Sequence, residues 1–239
     1  MPAPPTTDPR IADIARSGVL RLALFPSFFY RSDSGEPRGV GIEIARALAA
    51  RIGVVLRPTE YASPPKVVGV LAAGAADVAL LGIDPVRGKE VDFSPPLLAA
   101  DFTYLVPENS TARTIAEADR PDTRIALVRH HAMDTALRGK LAQAQPVYAD
   151  TPDRAFEMFR AREAEVLAGI RPGLLMYAGK LPGTRVLDDR YGRNVIALAV
   201  KKGKAGQLAY VGEFVAKARA DGTVARAIES AGLRGVELG

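Results

Sequence analysis

The 239-residue chain contains no cysteine and no tryptophan, only two histidines, and 6% aromatic residues. Without cysteine there is no disulfide framework, zinc ribbon, iron–sulfur cluster or thiol nucleophile. The histidines are adjacent, His130 and His131. Neighbours in sequence point to different sides of an element, so the pair does not chelate one metal at the usual i, i+4 spacing. So few aromatics argue against base-stacking platforms for nucleic acid. The longest uncharged apolar stretch starts at Val67 and is cut by Asp77 after ten residues, well short of the roughly 20 needed to span a bilayer. No G-x-S-x-G, G-x-x-x-x-G-K-[ST] or strand-linked G-x-G-x-x-G occurs, which argues against a serine hydrolase, a P-loop NTPase and a dinucleotide enzyme. The start, Met1 to Pro9, has neither a basic n-region nor an apolar h-region. Its proline content predicts poor order, and two readings stay open: a protein that remains inside the cell, or a mature form restarted with Met1.

What is present is an ordinary globular composition, 48% hydrophobic and 25% charged, with a net charge of +5 that is scattered rather than gathered in a block. That pattern points to a small anionic ligand more than to nucleic acid. The length suits two lobes of roughly 100–150 residues each. An α/β alternation runs along the chain: strand Val19 to Leu24, helix Gly41 to Ile52 with Ile44, Leu48 and Ile52 on one face, strand Val54 to Arg57, helix Pro65 to Ala73, and the nearly all-apolar strand Asp77 to Ile83. After Phe102 to Val106 comes a polar, turn-rich stretch. The alternation then restarts with strand Arg124 to Val128, a helix carrying Met133, Ala136, Leu137 and Leu141, a helix capped by Thr151, a short strand from Glu165 to Ala168 and a helix opened by Pro172. Strands at Val186 to Asp188 and Val195 to Val200 and two helices, Gly206 to Ala220 and Val224 to Ala231, complete it.

The most informative stretch is Asp77-Val-Ala-Leu-Leu-Gly-Ile-Asp-Pro-Val-Arg-Gly-Lys-Glu-Val-Asp-Phe-Ser-Pro-Pro96. A buried strand ends at Gly82-Ile83, and a turn with Pro85 delivers Arg87 to its C-terminal edge, where open α/β sheets collect ligands. This block resembles the T-x-x-R…v-x-F-S-x-P segment of the family 3 bacterial extracellular solute-binding proteins, the polar-amino-acid receptors of ABC transporters. Ile14 to Ala23, Gly39 to Ala45, Ala73 to Val78 and Ala220-Asp-Gly-Thr-Val224 extend the resemblance over nearly the whole chain. It implies a two-lobed periplasmic binding protein type II fold, α/β, each lobe a mixed, mostly parallel sheet flanked by helices. The expected division is a discontinuous lobe of residues 1–107 and 198–239 and a continuous lobe of residues 108–197. The implied function is a monomeric, non-enzymatic solute receptor that holds a small carboxylate in an interlobe cleft and delivers it to a membrane permease. No cofactor, metal, catalytic residue or nucleic acid is expected, and the implied compartment is the periplasm, any signal peptide having been removed.

The resemblance also assigns roles by position. Arg87 corresponds to the arginine that pairs both oxygens of the ligand carboxylate, which suits a planar fork of donors; a surface or strand-capping arginine is the alternative. Gly82, Ile83 and Asp84 are further candidates at the strand edge, and where amino-acid-specific members carry a Ser- or Thr-rich edge this chain has Leu80, Leu81, Gly82 and Asp84, so the ligand is expected to be less polar or to be held differently. In the second lobe a Gly-Thr/Ser turn is replaced by Val128-Arg-His-His-Ala-Met133, making His130 and His131 candidates, or else a solvated basic cap. The family's acid for the ligand ammonium falls by count at Ile170-Arg171, with no carboxylate there; Arg171 either lines the cleft for an acid lacking an α-amino group or merely opens a helix. Phe29, Tyr30 and Tyr61 are candidates for an aromatic wall, core packing being the alternative for Phe28 and Phe29, and Asn194 is a further candidate. A dehydratase of prephenate-like acids on the same fold and a ligand-binding sensor domain are the other function classes. The dehydratase needs a carboxylic acid as proton donor, and Asp84 is the nearest one.

Overall fold

The computed structural model describes residues 6–25, 30–31, 35–129 and 131–239. Of the start expected to be poorly ordered, Met1 to Pro5 lie outside the described residues, as do Phe28, Phe29 and His130, whereas Pro9 already opens a 3-10 turn, Pro9–Ile11, capped by Asp8. The chain is mixed α/β and forms two compact units: Met1–Leu98 with Val195–Leu233 and Leu238–Gly239, and Ala99–Asn194 with Arg234–Glu237. The change of unit falls at Leu98 and Val195, earlier at both points than the sequence patterning predicts. The reason is pairing: Phe102 to Leu105 already lie against Ile170 to Leu167, inside the second unit.

In the first unit, α1 (Ala12–Ser17) leads into β1 (Val19–Leu24), a two-residue pair β2 (Tyr30–Arg31) and β3 (Pro37–Arg38), α2 (Val40–Ile52), β4 (Val55–Glu60), α3 (Pro64–Ala72), β5 (Val78–Gly82) and β6 (Val91–Phe93). β1 pairs in parallel with both β4 and β5. The face of α2 that carries Ile44, Leu48 and Ile52 is buried, as the four-residue spacing requires. Gly53 ends that helix in the left-handed conformation, φ 82°, which costs glycine nothing. β5 is buried at all five residues, the pattern of a strand covered on both faces. A core of Ala23, Val67, Leu71, Ala79, Leu81 and Val91 lies under α3.

The second unit contains β7 (Leu98–Pro107), α4 (Ile115–Ala118), β8 (Arg124–Val128), α5 (Ala132–Leu137), β9 (Gln145–Ala149), α6 (Pro152–Arg160), β10 (Val166–Ile170), α7 (Arg171–Lys180) and β11 (Thr184–Val186). β10 and β9 both pair in parallel with β8, and β7 is antiparallel to β10. β12 (Gly192–Lys201) then carries the chain back to the first unit, where it lies antiparallel to β5 and β6, followed by α8 (Ala205–Ala220) and α9 (Thr223–Ser230); of β13 (Val236–Leu238), Val236 and Glu237 belong to the second unit.

Two cores sit in the second unit. One gathers Phe102, Tyr104, Ile125, Leu127, Leu137 and Tyr191; the other gathers Phe156, Phe159, Leu167, Leu174 and Tyr177. No described helix is long and apolar enough to cross a membrane.

Candidate functional site

The parallel strands of the first unit end together at Leu24, Glu60 and Gly82. The C-terminal edge so formed carries Phe25, Tyr61 and the turn that holds Arg87. Tyr61 is tied to it by its backbone N–H, which donates to the Leu24 carbonyl at 2.8 Å. Phe25 and Tyr61 are half-buried and pack on the Ala23, Val67 and Leu71 core. Phe25 was not a sequence candidate; its position one residue past β1 was the available signal.

The Arg87 turn is built by Asp84. Its Oδ1 accepts the backbone N–H groups of Val86 at 2.8 Å and Arg87 at 3.1 Å, and its carbonyl accepts that of Gly88 at 2.9 Å. The Arg87 guanidinium folds back, Nη1 donating to the Gly82 carbonyl at 2.9 Å. Gly82, Ile83, Asp84 and Arg87 are thus brought together in one closed loop at the end of β5. Arg87 is half-buried, and among the described residues it forms no ion pair. Desolvation by burial draws its pKa below the ordinary arginine value, the nearby Asp84 charge opposing that; a guanidinium stays protonated all the same. The result is a charged fork of donors held in partly dry surroundings with one of its groups engaged, which is what bidentate recognition of a carboxylate requires. A hollow of about 340 Å³ elsewhere in this unit, lined by Ile42, Leu56 and Pro58 among others, shares none of these residues.

In the second unit the parallel strands end at Val128, Ala149 and Ile170. After β8 the Arg129 guanidinium lies 4.6 Å from the centre of the Tyr148 ring. His131 stands at the N-cap of α5 and makes no capping hydrogen bond with its side chain. Although the residue is exposed, protein crowding around the ring desolvates it and lowers its pKa from 6.5, with Asp134 pulling the other way. Asp134 itself is 3% exposed and pairs with Arg138 at 3.4 Å.

Arg171 begins α7, and its guanidinium is engaged on the protein itself. It donates to the carbonyls of Leu187 at 2.9 Å, Asp188 at 2.8 Å and Asp189 at 3.3 Å, and stands 3.6 Å from the carboxylate of Asp101. Gly235 lies so close that a Cβ there would sit 2.7 Å from Arg171 Cγ. The carboxylate beside Arg171 was not found by counting along the chain. It comes from β7, because the antiparallel register sets Phe102 opposite Ile170. Arg190 at 3.5 Å and Arg193 at 3.8 Å also face Asp101, whose Oδ1 is buried without a hydrogen bond. Asn194 is half-buried at the end of the first segment of this unit.

Residues 20–231 match the sequence model of the bacterial extracellular solute-binding proteins, family 3. The chain belongs to this family. Among curated solute-binding proteins it is similar to the L-cystine-binding protein TcyJ of Escherichia coli (strain K12), with 23% identity over 220 residues, 88% of this chain and 81% of that protein. A segment of 100 residues, 39% of this chain, is 38% identical to the membrane-bound lytic murein transglycosylase F of Maricaulis maris (strain MCS10), of whose length the match spans 22%. Among solved structures, the ancestral cationic amino acid solute-binding protein AncCDT-1, described as a precursor of cyclohexadienyl dehydratase, matches with a TM-score of 0.79 at 23% identity, covering 92% of this chain and 98% of that one. The fold of this family 3 member is therefore the two-lobed periplasmic binding protein fold.

Proposed function

We propose that this solute-binding protein captures a small carboxylate-bearing solute on Arg87 and presents it, as a monomer in the periplasm, to the permease of an ABC importer. The observation that carries the reading is the Arg87 loop: a half-buried guanidinium without an acid partner among the described residues, anchored by one carbonyl at the C-terminal edge of β5. Relatives described as binding cystine and cationic amino acids support an amino-acid-like or organic acid as the solute. Arg171 supports the outline of its loop rather than the solute in this reading, since three carbonyls and Asp101 engage its Nη1 and Nη2.

A second reading, a dehydratase, draws on the kinship of AncCDT-1 to cyclohexadienyl dehydratase. General acid catalysis needs a carboxylic acid within hydrogen-bond reach of the leaving group. Asp84, the carboxylate of the Arg87 loop, serves instead as an acceptor for two backbone N–H groups, so binding without turnover is the reading we hold. Calorimetry against paired carboxylic acids and their primary amides tests it. Acids are expected to bind and their amides to lose most of the affinity; equal binding of acid and amide would contradict it.

A further inference from the structure

Six large hydrophobic side chains are exposed among the described residues, and two of them, Ile83 at 42% and Val86 at 67%, belong to the loop that holds Arg87. A single exposed apolar residue is unremarkable. Two within one closed turn beside a guanidinium that forms no ion pair among the described residues are a different matter, because the turn fixes all three together. Asp84 Oδ1 binds the N–H groups of Val86 and Arg87, Arg87 Nη1 binds the carbonyl of Gly82, and the Ile83 N–H donates to the Val195 carbonyl at 2.7 Å. The strand leading into the turn offers no hydroxyl to a ligand: Leu80 and Leu81 are buried and Gly82 has no side chain.

Resting on the Arg87 reading above, we infer that Ile83 and Val86 form an apolar lip that selects carboxylates with a hydrocarbon or aromatic body over zwitterions and dicarboxylates. Arg87 fixes the acid end of the solute, and the adjacent apolar surface rewards whatever hydrocarbon the acid end brings with it. A second charge set against Ile83 and Val86 would lose water there, and Asp84 Oδ1 is already committed to the backbone N–H groups of Val86 and Arg87. Selectivity then follows from a difference between two surfaces, attraction for apolar area and a desolvation penalty for charge.

The test is calorimetry with straight-chain monocarboxylates from butanoate to octanoate, phenylacetate, glutarate and L-arginine, on the wild type and on Ile83→Ser, Val86→Ser and Arg87→Ala. Affinity is expected to rise about three- to fourfold per added methylene until the lip is covered. Ile83→Ser and Val86→Ser should flatten that rise, costing octanoate on the order of tenfold. Both side chains are exposed, so the variants should fold, which circular dichroism checks. A flat series in the wild type, or glutarate or L-arginine binding more tightly than octanoate, with binding still lost in Arg87→Ala, would overturn the lip and leave the Arg87 reading standing. Absence of any Arg87-dependent carboxylate binding would overturn both.

Discussion

Arg87 and Arg171 both follow the C-terminal end of a buried strand, and in sequence both are candidates for a ligand, Arg87 by motif and Arg171 by count. Their surroundings separate them. Arg171 has a carboxylate 3.6 Å away and three carbonyls to accept from it, whereas Arg87 has one carbonyl and, among the described residues, no ion pair. Nothing local to residues 170–172 announces this, because the partners arrive from β7 and from the loop at 187–189. The same residue scale holds a second feature that composition hides. Tyr104 and Tyr191 pack with ring centres 5.1 Å apart, and both hydroxyls are buried without a hydrogen-bond partner. Desolvation by burial raises the pKa of each phenol, so they stay neutral. A buried hydroxyl with no partner carries its full desolvation penalty, so Tyr104→Phe and Tyr191→Phe are each expected to leave stability unchanged or raise it by up to about 1 kcal/mol. Urea unfolding checks this, and a loss of about 1 kcal/mol or more in either variant would show that its hydroxyl is satisfied after all.

At the scale of elements, segments with a clear apolar pattern or cap were legible, and those interrupted by proline or polar residues were not. The four-residue spacing in α2, the apolar run of β5 and the Thr151-Pro152 start of α6 all stand in the structure where the pattern put them. β4 runs on to Glu60 through Pro58, although proline reads as a strand breaker; β4 lies at the end of the strand order, where a missing donor costs no ladder bond. β9 escaped notice for a related reason, since Gln145 and Pro146 hide a strand whose regularity comes from pairing with β8 along its whole length. α5 ends at Leu137, before Leu141, which still packs on the same core from beyond the helix. The Thr151 cap is a direct contact: its Oγ1 accepts the Arg154 N–H at 3.2 Å. Thr151→Ala should therefore cost about 1 kcal/mol and Thr151→Ser much less. Equal stability of Thr151→Ala and wild type in thermal unfolding would mean that the cap contributes nothing.

At the scale of the whole molecule, the resemblance in sequence carried the fold and the family, while the composition of each unit had to await the pairing of strands. Arg234–Glu237 shows why: it follows helices of the first unit, yet it belongs to the second, where Glu237 pairs with Arg193. The charge distribution of the folded chain also sets its response to acid. Hydrogen bonds from Arg10 lower the pKa of Asp8 and Glu213, one from Arg124 lowers that of Glu165, and one from Thr223 lowers that of Asp221. For Asp119 burial acts upward, but the N–H groups of Ala144, Ala142 and Gln143 outweigh it. A carboxylate with a depressed folded pKa binds protons more weakly than in the unfolded chain. Its contribution is complete above the ordinary values of 3.8 for Asp and 4.5 for Glu and is lost as pH falls below them. His131 is also depressed, from 6.5, so a smaller loss should set in below that pH. The melting temperature is expected to hold steady from pH 8 to 7, dip slightly below about 6.5 in the wild type but not in His131→Gln, and fall steeply below about 4.5. A melting temperature that rises as pH drops from 7 to 5 would contradict the direction assigned to His131. The central claim, however, is the role of Arg87, and its most direct test is the calorimetric affinity of Arg87→Ala for the best-binding carboxylate. Removing one side of a desolvated bidentate pair should weaken binding by about 2–5 kcal/mol, roughly 30-fold to several thousandfold, with cooperative unfolding retained and stability lowered by no more than about 1 kcal/mol for the lost bond to Gly82. An affinity equal to that of the wild type would contradict the account.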